Sequence, residues 1–530
     1  MSSSLNNTEY NFIIIGGGAS GSGIALDTSS RGYKVLLLES NDFASGTSSK
    51  SSKLIHGGVR YLEKAVKQFD IEQYNLVKEG LKERAIFLKN APHLAKRLKL
   101  DTPVYSYLEA FYIYTGLFLY KLIAGNKSIG GNYFLNNTVL SLLQPSLKKD
   151  KLKGAISFYD GRFLDSRMVI ALLQTAKSFS CEVKNYSEVK NFTYDEQNNV
   201  NGVIYFDKQT NTSHEVKAQA VINATGTNVD NIRLLDDKKS EDILSLSSGI
   251  HIVVPKRFLP FDEGILIPKT QDGRIIFILP YLDKCLIGTT DNEVEYTSKP
   301  KALEKEVEYL ISHVNDYFEL RINTEDVLSS WSGIRPLVKS KKSKSTQQVV
   351  REHLITSSKN GLISISGGKW TTYRKMAEQL VDYAIKKKNL EVYKPCQTKK
   401  LKVVGSNLEK EKVLELMTAY DVSKYTKENL VYLYGDKAID ILECAKEYDA
   451  YNLIHDTLPY IQAEVIYCIK HEFVKEPIDF ISRRILLSFV DKKKALDCVE
   501  KVCEIMTVYF EWDNILIKIK ETKKEIEELF

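Results

Sequence analysis

The sequence predicts an α/β protein with a second, mixed sheet and an all-α C-terminal domain. Three features point there. Residues 11–39 read as strand, Gly-rich turn, helix and strand. Residues 151–345 alternate short β-branched runs with turns. From residue 396 glycine almost disappears, and Lys, Glu and Leu recur at helical spacing. The expected domains are therefore 1–395, holding two interleaved sheets, and 396–530, a helical cap.

The Gly-rich unit is the sharpest signal. Residues 11–15 are apolar, 16–23 form the turn and the entry to a helix, and 35–39 are a second apolar run ending in an acid. Gly16, Gly18 and Gly21 spell G-x-G-x-x-G. Gly16 makes the tight turn, Gly18 lets backbone approach a pyrophosphate, and Gly21 lets the helix pack on the strand. The helix N-terminus offers unpaired N–H groups and partial positive charge to phosphates. Glu39 ends the next strand, where an acid accepts from ribose hydroxyls and repels a 2′-phosphate.

The same unit can bind NAD or FAD. Two further features favour FAD. A Ser/Thr loop over 45–52, with Thr47, Ser48, Ser49 and Ser52, follows directly. Far downstream, Ala224, Thr225 and Gly226 form a second turn at a strand end, as a two-part FAD domain requires.

The remaining segments are read in order. Residues 63–100 are charged and helix-like. Residues 104–124 are aromatic and apolar but interrupted by Glu109 and Lys121, which counts against a membrane span. They read either as a buried amphipathic helix or as a segment lying on a membrane surface, where Tyr and Phe concentrate. Residues 362–369 read as a strand ending in paired glycines, and 371–388 as a helix with Thr371 or Thr372 near its N-cap. The C-terminal tail reads as a solvated helix end.

Bulk properties narrow the function. The 530 residues exceed what one core accommodates. Lys and Arg number 74 against 68 Asp and Glu, a net +6. That weak bias, without a dense basic stripe, excludes nucleic-acid binding as the expectation. Seven cysteines without a Cys-x-x-Cys pair suggest free thiols in a reducing compartment and no metal site. The polar N-terminus has no apolar core of a secretory signal.

The run GTSSKSSKLIHGGVRYLE (46–63) closely resembles the signature of FAD-dependent glycerol-3-phosphate dehydrogenases and oxidases. NATG (223–226), DGRIIFILPY (272–281), GTTD (288–291), WSGIRPL (331–337), GGKWTTYR (367–374) and AEVIYCIKHEF (463–473) match in order. The resemblance implies a glutathione-reductase-type FAD-binding domain, an interleaved substrate domain and an α-helical C-terminal domain. It also implies oxidation of sn-glycerol 3-phosphate to dihydroxyacetone phosphate. Flavin N5 takes the hydride, and the electrons pass to quinone in dehydrogenases or to oxygen, giving hydrogen peroxide, in oxidases.

Read through the resemblance, His56 is the first candidate base and His251 the second, since imidazole titrates near working pH. Arg60 and Arg335, with Tyr61, are candidates for the phosphate, because the guanidinium fork holds two oxygens. Lys369 lies beside the flavin, with Gly368 and Thr371. Arg274 and Tyr281 are further substrate candidates. Two positions depart from the family pattern: Asn228 stands where Trp is frequent, and Ser248 where Lys is frequent. The expected setting is cytoplasmic, peripheral on the inner face of a membrane, and compatible with a homodimer. A more distant alternative is an amine or amino-acid oxidase of the same fold, which would need a carboxylate clamp rather than a phosphate cluster.

Overall fold

The computed structural model describes residues 9–58, 62, 69–268, 270, 274–339 and 353–530. The first sheet is centred on the parallel strands Thr212–Asn223, Glu9–Ile15 and Val35–Leu38, extended by Ile363–Gly367 on one side and Cys181–Lys184 on the other. The ends of Glu9–Ile15 and Val35–Leu38 that carry the site are buried on both faces. Their apolar runs are therefore continuous rather than alternating. The helix Ala19–Ser30 packs between the helices Asp165–Lys177 and Tyr373–Lys387. Tyr373–Lys387 begins after a short 3-10 turn, with Thr372 as its N-cap.

The second sheet runs through the long strand Leu244–Pro255, which pairs antiparallel with Ser329–Val338 and Lys284–Gly288. It continues through Ile276–Tyr281 and Gly264–Ile267 to Ala95–Val104 and Gly154–Phe163. Ala95–Val104 corrects the helical reading of 63–100. The helix Ile71–Asn90 stops short, and the chain becomes a strand. Leu98 and Leu100 turn inward while Arg97 and Lys99 turn outward. The charge that suggested a helix is the outer face of a β alternation. Three helices, Asp165–Lys177, Val229–Asp236 and Glu304–Asn315, interrupt a region read only as strands. Asp165–Lys177 is buried almost all round, which removes the amphipathic period that would have marked it.

Residues beyond 396 are helical, among them Lys424–Tyr434, Ala438–Tyr448, Gln462–His471, Lys492–Thr507 and Ile515–Leu529. The last helix is not a solvated end. Ile526 and Phe530 are buried, and the Phe530 ring meets Phe489 edge-on at 4.7 Å. The helices are tied to the first domain by buried ion pairs, with Arg167 on Glu472 and Arg484 on Asp42.

The aromatic segment forms the helix Tyr107–Ala124, with one side buried. Ala110, Leu117, Tyr120 and Ala124 face inward, and the Tyr120 hydroxyl takes the Gly57 N–H at 2.7 Å and reaches Asp160 at 3.2 Å. The other side exposes Leu108 at 84% and Phe111 at 73%, with Tyr107, Tyr112, Phe118 and Leu122. No helix among the described residues is long and apolar enough to cross a membrane.

Candidate active site

A cavity of about 1760 Å³ lies between the two sheets. The Gly-rich turn, Glu39, the Ser/Thr loop, the Ala224–Thr225–Gly226 turn and residues 367–371 line one side; His251, Thr289, Asp291 and Arg335 of the second sheet line the other.

At the nucleotide end the chain is bare of Cβ atoms where it must be. Gly16 has φ +107°, and a Cβ there would lie 2.6 Å from the Ala224 carbonyl oxygen. A Cβ on Gly21 would lie 1.8 Å from the Gly16 oxygen. Glu39 accepts the Gly17 N–H at 2.7 Å through Oε2 and the Asn41 N–H at 3.0 Å through Oε1. Burial raises its carboxyl, and these N–H bonds oppose the rise. Ser48 Oγ accepts the Ala19 N–H at 2.9 Å, at the helix start. The Thr47 hydroxyl donates to the Ile334 carbonyl at 2.6 Å, joining the loop to the second sheet. The Thr225 hydroxyl donates to Asn223 at 2.7 Å. An uncrowded turn, a helix N-terminus and an acid ending the second strand suit a dinucleotide, and the cavity is large enough for FAD.

At the other end Gly367 and Gly368 both have positive φ, +77° and +82°. The Trp370 indole N–H donates to the Ser48 carbonyl at 3.0 Å, so this turn and the Ser/Thr loop form one wall. Thr371 Oγ1 takes the His56 N–H and donates back to the His56 carbonyl, both at 3.2 Å. Thr371 therefore positions His56, and both line the cavity with Lys369.

His251 stacks on Trp331, with centroids 5.6 Å apart, and its Nε2 lies 2.8 Å from Ser52 Oγ. Its Nδ1 is buried with no hydrogen-bond partner among the described residues. Burial, then the charges of Arg335 and Lys53, hold its pKa well below the usual imidazole value. Nε2, which Ser52 faces, is the ring nitrogen with a hydrogen-bond partner. Ser52, expected to contact the cofactor, is primarily a partner of His251.

Arg335 lies on Ser329–Val338 opposite Ser247. Its Nη1 donates to the Ser248 carbonyl at 3.1 Å and lies 3.4 Å from Asp291; its Nη2 donates to Thr289 Oγ1 and to the Thr290 carbonyl, both at 3.1 Å. A Cβ on Gly249 would lie 2.1 Å from Nη2, so glycine there makes room for the fork. Ser248, the departure from the family's Lys, holds Arg335 through its backbone.

Three expected residues are elsewhere. Ser49 is buried, its hydroxyl 3.5 Å from the Gly46 carbonyl, because the 3-10 turn Thr47–Ser49 points it inward. Arg274 lies over the Tyr309 ring at 5.1 Å; Ile275 and Phe277, on the opposite face, line the cavity. Tyr281, four residues beyond Phe277 at the hairpin end, is buried beside Lys53 rather than in the cavity. Arg60 and Tyr61 lie outside the described residues. Sequence reasoning missed Asp291, Lys50 and Arg483, all cavity-lining. Lys50 stood within the recognised run 46–63, whereas nothing in the spacing ties residue 483 to residue 42.

The chain matches the family described as FAD dependent oxidoreductase over residues 11–374, and the C-terminal domain of alpha-glycerophosphate oxidase over 396–515. It is 40% identical to the mitochondrial glycerol-3-phosphate dehydrogenase of Homo sapiens over 522 residues, covering 96% of this chain and 72% of that one. It is 39% identical to the probable mitochondrial glycerol-3-phosphate dehydrogenase of Dictyostelium discoideum, covering 98% and 82%. Among solved structures, the glycerol-3-phosphate dehydrogenase of Bacillus halodurans complexed with FAD superposes with a TM-score of 0.80 at 30% identity, covering 99% of this chain and 96% of that one. The L-alpha-glycerophosphate oxidase of Mycoplasma pneumoniae shares the fold, with a TM-score of 0.55 at 17% identity over 74% of this chain and 98% of that one. On its glycine turn, its two interleaved sheets and these similarities, the chain belongs to the FAD-dependent glycerol-3-phosphate dehydrogenase family.

Proposed function

We propose that the protein oxidises sn-glycerol 3-phosphate to dihydroxyacetone phosphate and passes the electrons to a membrane quinone. The observation that carries this reading is the convergence of His56, His251, Arg335 and Lys369 on the cavity that begins at the glycine turn. FAD, when bound, supplies a hydride acceptor at N5. The chain must supply a base for the C2 hydroxyl proton and cations for the phosphate. Neutral imidazole suits the first task. His56 is held through its backbone by Thr371, and His251 takes a proton through Nε2, directly or by way of Ser52. Arg335, its Nη groups held by Ser248, Asp291, Thr289 and Thr290, sets a fixed positive charge on the cavity wall, and Lys369 adds a second.

Anaerobic single turnover tests the base. Replacing the base by Ala slows flavin reduction by about 100-fold or more. The larger effect, His56→Ala or His251→Ala, identifies it. If both variants reduce flavin at the wild-type rate, neither histidine is the base.

The quinone reading rests on the helix Tyr107–Ala124. Its outer side exposes Leu108 and Leu122, while Gly116, Leu117 and Leu119 line the cavity. One helix thus separates the cavity from an apolar surface suited to lipid, where quinones dissolve. Leu108→Glu with Leu122→Glu should abolish co-sedimentation with anionic liposomes and cut quinone turnover, while reduction by substrate is unchanged. Wild-type protein that never sediments would refute the membrane reading. Peroxide formed at the rate of turnover in air would instead make the protein an oxidase.

A further inference from the structure

The wall of the cavity includes the C-terminal helices. Arg483 and Arg484 end the π-helical turn Asp479–Arg484. Arg483 donates to Asp42 at 2.5 Å and to Asp479 at 2.7 Å; Arg484 donates to both Asp42 oxygens, at 2.7 and 2.9 Å. Tyr186 donates to Asp479 at 2.7 Å. Two buried cations are therefore matched by two buried carboxyls. Burial works against the Asp42 charge, but Arg484 and Arg483 outweigh it and lower its carboxyl. Burial and Asp42 push Asp479 up to about 6.

Lys50 is the surplus charge. It lines the same cavity, is 7% exposed, and its ammonium donates to no acceptor among the described residues. Its backbone is fixed against the second sheet, since a Cβ on Gly333 would lie 2.7 Å from the Lys50 carbonyl oxygen. Burial, then the charge of Arg483, pushes the ammonium down to about 8. A buried ammonium without a counter-ion is costly and calls for an anion. Two residues earlier, Ser48 meets the first N–H of Ala19–Ser30, the helix end that favours phosphate. Lys50 and that helix start line the same cavity, and the pyrophosphate of a dinucleotide is the anion such a turn receives.

We propose that Lys50 is the cation that holds the pyrophosphate of FAD. The inference concerns the cofactor and does not depend on the substrate or the electron acceptor. Its test is the rate at which the holoenzyme releases FAD on dilution, followed by flavin fluorescence at low and high salt. Lys50→Met releases FAD about tenfold faster or more, the loss of one charge-assisted contact. Its release also depends less on salt than that of wild type. Lys50→Arg restores release to within about threefold of wild type, as a charge-based role requires. The flavin reduction potential of Lys50→Met stays at the wild-type value. Unchanged release, failure of Lys50→Arg to restore it, or a shifted potential would each overturn the proposal. A shifted potential would place the charge at the flavin ring.

Discussion

Gly21→Ala yields a folded protein that purifies without flavin. The added methyl would sit 1.8 Å from the Gly16 carbonyl oxygen and 3.0 Å from its carbon. Neither side has a flexible atom to move. Gly16 is itself pinned, its N–H donating to the Leu38 carbonyl at 2.8 Å and its own Cβ position filled by the Ala224 oxygen. To reach ordinary van der Waals contact, the helix Ala19–Ser30 must shift by more than an ångström relative to the strand that precedes it. Overpacking of this kind costs about 1–3 kcal/mol in a core. Here the shift falls on the turn that receives the phosphates, so FAD affinity falls by about 100-fold or more. Gly131→Ala, at a glycine away from the cavity with open space around it and no positive φ, is the control and keeps its flavin. The check is the flavin-to-protein ratio after purification. A Gly21→Ala protein with full flavin content would show that the turn does not need a bare position there.

Arg335→Ala keeps FAD but loses about 100- to 1000-fold in kcat/KM for the phosphorylated substrate, mostly as a rise in KM. Truncating one partner of a desolvated charge pair costs about 2–5 kcal/mol. The loss also leaves Asp291 facing the cavity without its cation, so an anionic substrate meets repulsion where it had attraction. Arg335→Lys recovers little, because an ammonium cannot reproduce the two Nη groups that bridge Ser248, Thr289 and Thr290. Steady-state kinetics with a soluble dye acceptor, read beside the flavin ratio, checks this. Wild-type kinetics in Arg335→Ala would remove the arginine from the phosphate site.

How far the fold was legible depended on which force shaped each element. The nucleotide unit was legible because its requirements are local: three glycines, a helix start and Glu39 within 39 residues. Ala95–Val104 was not, because its charges lie on the outer side of a strand whose partner, Gly154–Phe163, comes 50 residues later. Tyr281 and Arg274 were placed in the cleft by their motif, but Tyr281 ends the strand beside Lys53, and Arg274, before that strand, lies over Tyr309. The site was legible where a motif carried its own geometry, as with Gly16 and Gly21. It was illegible where two distant segments meet, as with Ser52 and His251, or Asp42 and Arg483. Such pairs leave no spacing signal, and only the packed structure brings them together.

This flavin site accepts hydride from a phosphorylated secondary alcohol. Anaerobic mixing of the holoenzyme with sn-glycerol 3-phosphate tests it most directly. The flavin is expected to bleach with one dihydroxyacetone phosphate formed per flavin, and glycerol at the same concentration to leave it oxidised. A flavin that stays oxidised with sn-glycerol 3-phosphate, or that glycerol bleaches equally fast, would contradict it.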